Sequence, residues 1–298
     1  MKKIRIGTRG SKLALAQTKL VQEAISSIIP DIDMEICVIK TRGDEILDKP
    51  LNALGDKGLF AKEFEQAILS NEIDLAVHSA KDLPVKLAEG LDILFVLPRA
   101  DERDVLIQKK TNFGGGFDTL PSNPVIGTCS ARRELYIKRF RPDTKFKLIR
   151  GNIDTRLSKL NSGFYDAIVL AKAGLDRINI IENYSDRFDF TILDTKEFLP
   201  SACQGIIAVE GMNNFKLRQI LEKLNDTDTY IQYKVERKVL ELLQTDCSQP
   251  VAAFCKLINN DAVKLHIMYG GKEVFGCSAK EEYLQLIQNL LNQLKENI

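Results

Sequence analysis

One arrangement occurs twice in this chain and restricts its fold more than any other feature. Lys3 to Gly7 (KIRIG) alternates as a strand does and meets the turn Thr8-Arg9-Gly10-Ser11. A helical stripe of Leu13, Ala16, Leu20, Ala24 and Ile28 follows. Val125-Ile126 repeats the strand, Gly127-Thr128-Cys129-Ser130 repeats the turn, and a second helix runs from about Ala131. Either Gly10 or Ser11 is a plausible N-cap of the first helix. A strand that feeds a helix through a Gly/Ser turn aims backbone N–H groups at whatever sits there, which suits an anion. Two αβ halves of about one hundred residues, each with such a turn, resemble a two-lobed binding cleft.

The remaining segments fit this plan. Met34 to Lys40 is a strand, and residues 41 to 60, dense in Gly, Asp and Lys, read as a long loop over a site. GDKGLF within it lacks the spacing of a nucleotide-binding P-loop. Phe60, Phe64, Ala67 and Ile68 mark a helix leading into DLAVHSAKDLP, residues 74 to 84. That stretch starts as a buried strand at Leu75-Ala76-Val77 and stops at Pro84. Ligands of α/β proteins bind at strand ends, so Lys81-Asp82 is a site candidate, although a solvated ion pair on a loop has the same sequence. Leu91 to Leu97 is another strand, and RADERD (99 to 104) reads as a crossing between domains. Strands at 105 to 108, 145 to 149 and 167 to 170 build the second half, with loop at 112 to 124.

LPSACQGIIAVE (199 to 210) supplies a turn and a strand returning to the first lobe. A third unit has helices at about 213 to 225 and 228 to 245, and strands near 251 to 258, 263 to 269 and 273 to 278. It closes on a helix whose stripe of Leu284, Ile287, Leu291 and Leu294 reads as core. The domains are therefore 1–98 with about 200–220, then 99–199, then 221–298. The class is α/β with three domains, the last a smaller one with a short sheet and helices.

Charge and cysteine content narrow the function. Lys+Arg 42 against Asp+Glu 41 leaves a net charge of +1, so no global field draws the chain to nucleic acid or membrane. No apolar run approaches the ~18–20 residues of a membrane span, and MKKIRIGTRG lacks the apolar core of a signal peptide. Six cysteines without a CxxC pair, and two histidines, argue against zinc and against a disulfide framework, so reduced thiols in a cytoplasm are expected. Residues 127 to 156 hold nine Lys/Arg against three acids. Arg132, Arg133, Arg150 and Arg156 stand at strand–helix junctions without interleaved aromatics, which suits carboxylates better than nucleic acid. Arg9 and Arg177 also lie beside strand ends, so arginines from both lobes can face one cleft.

GTRGSKLALAQ, IKTRGD, GDKGLFAKE, DLAVHSAKDLP, GTCSARR, IRGNIDTRLSKL, YDAIVLAKAGLDR and DCSQPV follow one another in an order similar to that of the porphobilinogen deaminase (hydroxymethylbilane synthase) family. The resemblance spans essentially the whole chain. It implies two lobes like those of periplasmic binding proteins and a third, cofactor-anchoring domain. It also implies a monomeric transferase of tetrapyrrole (haem) biosynthesis. Such an enzyme joins four porphobilinogen molecules head to tail with loss of ammonia and releases hydroxymethylbilane. The implied cofactor is a dipyrromethane made from the substrate and bound by a thioether to Cys247. The family's Gly-Gly-Cys-Gln-Val-Pro is replaced here by Thr245-Asp246-Cys247-Ser248-Gln249-Pro250, and Asp246 is expected to raise the thiol's pKa. Cys255 is the alternative anchor. Asp82 is implied as the catalytic carboxylate that stabilises the cation formed as ammonia leaves. Arg9, Ser11, Lys81, Thr128, Ser130, Arg132, Arg133, Arg150, Arg156 and Arg177 are implied to bind carboxylates of cofactor and substrate. Lys57 and Phe60 belong to the covering loop, and no metal is implied. A non-enzymatic two-lobed anion receptor and a nucleic-acid binder using residues 127 to 156 are the rival readings.

Overall fold

The computed structural model describes residues 3–41, 61–245, 249–259 and 261–296. The first lobe contains β1 (Lys3–Thr8), α1 (Lys12–Ile28), β2 (Asp33–Val38), α2 (Lys62–Leu69), β3 (Leu75–Ser79) and β4 (Leu91–Val96). The second contains β5 (Asp104–Lys109), β6 (Val125–Gly127), α3 (Ala131–Phe140), β7 (Lys145–Lys147) and α4 (Ile153–Asn161). It continues with β8 (Ala167–Ala171), α5 (Lys172–Arg177), α6 (Ile180–Tyr184) and β9 (Phe188–Ile192). The chain then enters β10 (Ile207–Met212).

Both large sheets have five strands and one shared logic, with orders β2-β1-β3-β10-β4 and β7-β6-β8-β5-β9. In each, three parallel strands meet one antiparallel strand, which also pairs with an edge strand. The antiparallel strand always comes from a segment that has just crossed between the lobes: β5 after residues 97–103, β10 after residues 193–206. The crossings lie side by side. The Ala100 N–H donates to Gly205 O at 3.2 Å and Arg99 Nε donates to Gln204 O at 2.9 Å. Gly205 has φ of +92°, and a Cβ there would lie 2.4 Å from Ala100 O, so the approach requires glycine.

The short α7 (Arg218–Leu221) packs its Leu221 into the first lobe's core, and the third unit has α8 (Thr227–Leu243), β11 (Val251–Ile258), β12 (Ala262–Tyr269), β13 (Lys272–Ala279) and α9 (Tyr283–Glu296). Its strands form one antiparallel sheet, β11-β12-β13. Val263, Leu265 and Ile267 of β12 alternate inward onto Val235 and Val239 of α8 and Ile287 and Leu291 of α9. Gly270 and Gly271, both at positive φ, make the two-residue hairpin loop between β12 and β13.

Three segments differ from the sequence reading. In α1 the side chains on the sheet core are Val21 and Ile25, with Gln17 and Thr18 also buried. The expected stripe is divided: Leu13 packs at Gly174 and Ala16 and Leu20 border a cleft with Asp176 and Arg177, whereas Ile28 packs on the sheet core. A helix between two lobes has two partly apolar faces, and the stripe runs from one to the other. The expected helix at 213 to 225 shrinks to α7 and one 3₁₀ turn at Glu222–Leu224. In α9 Leu284 is exposed, while Leu286 and Leu290 join Ile287, Leu291 and Leu294 in the core. Among the described residues no helix is long and apolar enough to cross a membrane.

Candidate active site

The carboxyl ends of the parallel strands in both lobes carry the polar turns, the position where open α/β sheets bind ligands. After β3 the chain makes a single 3₁₀ turn, Ala80–Asp82, and Leu83 is extended, as Pro84 requires. Ala80 and Leu83 are buried, and the Ala80 N–H donates to Ile206 O at 3.0 Å. The turn is thus pinned to the crossing segment while Asp82 stays exposed. Lys81 donates to Gln204 Oε1 at 3.1 Å. It is half-buried by surface yet densely surrounded by protein, and that burial pushes its ammonium pKa down; Asp82 opposes the shift and Arg133 and Arg132 reinforce it.

In the second lobe Ser130 caps α3 by accepting from the Arg133 N–H at 3.4 Å, and the buried Thr128 Oγ1 accepts from the Ser130 N–H at 3.1 Å. Ser11 plays the same capping part for α1, accepting from the Ala14 N–H at 3.2 Å. Arg132 and Arg133, the next residues of α3, turn inward onto Asp104 at the start of β5. Arg132 Nη2 reaches Oδ2 and Arg133 Nη2 reaches Oδ1, each at 2.7 Å. Their other Nη atoms donate to Leu199 O at 2.5 Å and Val169 O at 2.7 Å. Burial alone would raise the Asp104 pKa; the two guanidinium groups reverse this and hold it far below the usual carboxylate range. Gln204 Nε2 is a third donor to Asp104, at 3.0 Å. Arg133 Nε is buried without a hydrogen-bond partner among the described residues.

Arg156 donates from Nε to Gly151 O at 2.8 Å. Burial lowers its pKa, and it stands within electrostatic reach of Cys129, Arg133, Arg150 and, from the first lobe, Asp82. Arg150 is buried. Arg177 donates to Gly205 O at 2.6 Å, and burial pushes its pKa down to about 10. Arg9, half-buried, follows β1. The structure therefore joins Lys81 to Arg132 and Arg133 through Gln204 and Asp104, with Asp82 and Arg156 within electrostatic reach of that network. Lys57, Phe60 and Cys247 lie outside the described residues. Cys255 does not fit an anchor: it is sealed in the core of the third unit, and burial, with Glu236 beside it, pushes its thiol far above the ordinary range.

Asp104 and Gln204 were not singled out by the sequence reading. Their signal was present in RADERD and SACQG, but each pairs with residues far away along the chain. Among the described residues no cluster of His, Cys, Asp and Glu is arranged to hold a metal.

Residues 4–219 match the family model described as porphobilinogen deaminase, dipyromethane cofactor binding domain. The chain belongs to the porphobilinogen deaminase family. Relatives named porphobilinogen deaminase include that of Rickettsia prowazekii, 44% identical over 90% of this chain and 87% of the relative. That of Caldicellulosiruptor saccharolyticus is 41% identical over 99% of this chain and 100% of the relative. Among solved structures, the VFT2 domain of BvgS from Bordetella pertussis covers 79% of this chain and 91% of its own at 15% identity, with a TM-score of 0.47. The donor set fits a deaminase's dipyrromethane. Lys81, Arg132, Arg133, Arg150 and Arg156 gather there with Asp82 and Asp104, and Arg133 Nε has no hydrogen-bond partner among the described residues. Guanidinium and ammonium donors of this kind suit a ligand that bears carboxylates.

Proposed function

We propose that Asp82 and the surrounding cations carry the deaminase reaction of this chain, a transferase that condenses four porphobilinogen molecules head to tail and releases hydroxymethylbilane. The dipyrromethane, when bound, supplies the pyrrole carbon at which each new unit is joined. Cys247 would hold it by a thioether, since it stands at the family's anchor position in the sequence and the sealed Cys255 does not fit this task.

Asp82 stabilises the cation that the substrate becomes as ammonia departs, and its carboxylate moves the proton that the leaving amine needs. Each pyrrole unit brings an acetate and a propionate, so the growing product is a polyanion. Lys81, Arg133, Arg150 and Arg156 neutralise those groups, Arg132 fixes Arg133 through their shared Asp104, and Arg9 and Arg177 extend the basic lining. The hydroxyls of Ser11, Thr128 and Ser130 are placed at the turns to donate to carboxylate oxygens. The chain acts on a small molecule and needs no second copy. A non-enzymatic anion receptor is not favoured for a deaminase-family chain.

The observation that carries this reading is the position of Asp82. It is an exposed carboxylate from one lobe, within electrostatic reach of Arg156 in the other. Intact-mass measurement tests it. The purified chain is expected to carry a covalent dipyrromethane and, with substrate, to show further pyrrole additions. Cys247→Ser is expected to purify without the adduct; a normal adduct mass on that variant would move the anchor elsewhere. Asp82→Asn is expected to fold normally and lose turnover by about two orders of magnitude or more. Near-normal turnover would remove Asp82 from the mechanism.

A further inference from the structure

Gln204 is almost completely buried, at 1% exposure, on the crossing segment between the lobes. All of its polar capacity toward the site is used. Its Oε1 accepts from Lys81 of the first lobe at 3.1 Å. Its Nε2 donates to Asp104 Oδ1 of the second lobe at 3.0 Å and to Glu102 O at 2.8 Å. The amide can sit only one way round. Rotated by half a turn, it would set an NH₂ against an ammonium and a carbonyl oxygen against a carboxylate. A protonated glutamate apart, no other neutral side chain of this length accepts from a cation and donates to an anion at once. Asp104 in turn holds one Nη of Arg132 and one of Arg133, so a single side chain joins the cation of one lobe to the arginine pair of the other.

We propose that Gln204 is the positioning residue of the carboxylate-binding site. It fixes Lys81 in register with the Arg132–Asp104–Arg133 triad, so that groups from two lobes present one rigid receptor. Gln204 touches no reacting atom in this role; it acts through Lys81 and Asp104. The inference rests on the reading that these cations bind substrate carboxylates.

Two variants of the full chain test it, with KM and kcat measured separately. Gln204→Met keeps length and bulk and loses both hydrogen bonds. Its KM is expected to rise about tenfold or more while kcat falls much less, because ground-state and transition-state grip are lost together. In Gln204→Glu an ionised carboxyl still accepts from Lys81 but opposes Asp104, whereas a protonated one donates to Asp104 as the amide does. Its KM is therefore expected to return toward that of the wild type as pH is lowered and the carboxyl takes up its proton, a trend absent from the wild type. A buried residue that merely fills space would not produce that pH dependence. Wild-type KM in Gln204→Met overturns the proposal, as does a KM for Gln204→Glu that follows the wild-type pH profile. If Gln204→Met fails to fold, the pH profile of Gln204→Glu decides alone. Failure of the wild type to load or extend a pyrrole chain would instead strike the functional reading itself, so the two failures are distinguishable.

Discussion

Asp104 is fully buried, and it remains ionised because Arg132 and Arg133 hold it between them. Removing one member of such a set leaves charge buried without compensation, which is far worse than never having built it. Asp104→Asn is accordingly expected to destabilise the fold by about 3–5 kcal/mol at neutral pH. The sign with pH follows from the depressed pKa. The stabilisation is fully present above the unfolded carboxylate value of about 3.9 and is lost as pH falls toward the folded value. The stability gap between wild type and Asp104→Asn should therefore narrow below about pH 4, measured by urea unfolding at neutral and acid pH. A gap that stays constant would mean that the carboxylate's charge is not its source. Asp104 also marks where sequence reasoning stopped. Lys81, Asp82, Ser130 and the turn arginines can be singled out as candidates because each sits at a strand end in a local pattern of its own. Asp104 and Gln204 look like ordinary polar residues until the fold brings together positions separated by a hundred residues.

At the scale of elements, the two crossings carry more constraint than any single strand. Gly205 serves both needs at once, a left-handed backbone and a contact with Ala100 O that leaves no room for Cβ. Gly90 offers a control, because it has φ of +88° with nothing within 4 Å of an added Cβ. Gly90→Ala should lose about 1 kcal/mol, the conformational share alone. Gly205→Ala should lose that and more, about 2–4 kcal/mol, since backbone must move. Equal losses in denaturant unfolding would show that the crossings can part freely. The α/β class and most strands are readable from alternation and turn residues, because buried parallel strands and Gly/Ser turns leave local marks. The core face of α1 is not, since Leu13 and Leu20 serve the lobe–lobe boundary while Val21 and Ile25 serve the sheet. The reduced helix after β10 also escapes periodicity, being four residues long.

For the molecule as a whole, Glu236 of α8 is the meeting point. Its fully buried carboxylate accepts from Arg99 Nη1 at 2.7 Å, from the Cys203 N–H at 2.5 Å and from the Cys255 N–H at 2.8 Å. Arg99 belongs to one crossing, Cys203 to the other and Cys255 to β11, so one side chain ties the third unit to both connections between the lobes. Burial alone would lower the Arg99 pKa and the Glu236 carboxylate more than reverses it, whereas burial still raises the Glu236 pKa against the pull of Arg99 and the two N–H groups. Cys247 belongs to the connection between α8 and β11, and the reach of whatever it holds toward Asp82 depends on where the third unit is docked. Glu236→Gln preserves shape and removes the charge, leaving Arg99 buried and unpaired at an expected loss of about 3–5 kcal/mol. The loss should fall unevenly: amide hydrogen exchange should accelerate in β11 and β12 before it does in β3 or β8. Intact mass should show a reduced share of chains carrying the dipyrromethane, while the Lys81–Gln204–Asp104 contacts, which do not involve Glu236, stay in place. Uniform acceleration of exchange across all three sheets, with full cofactor occupancy, would show that the third unit is held by its apolar surface and that Glu236 is dispensable to its placement.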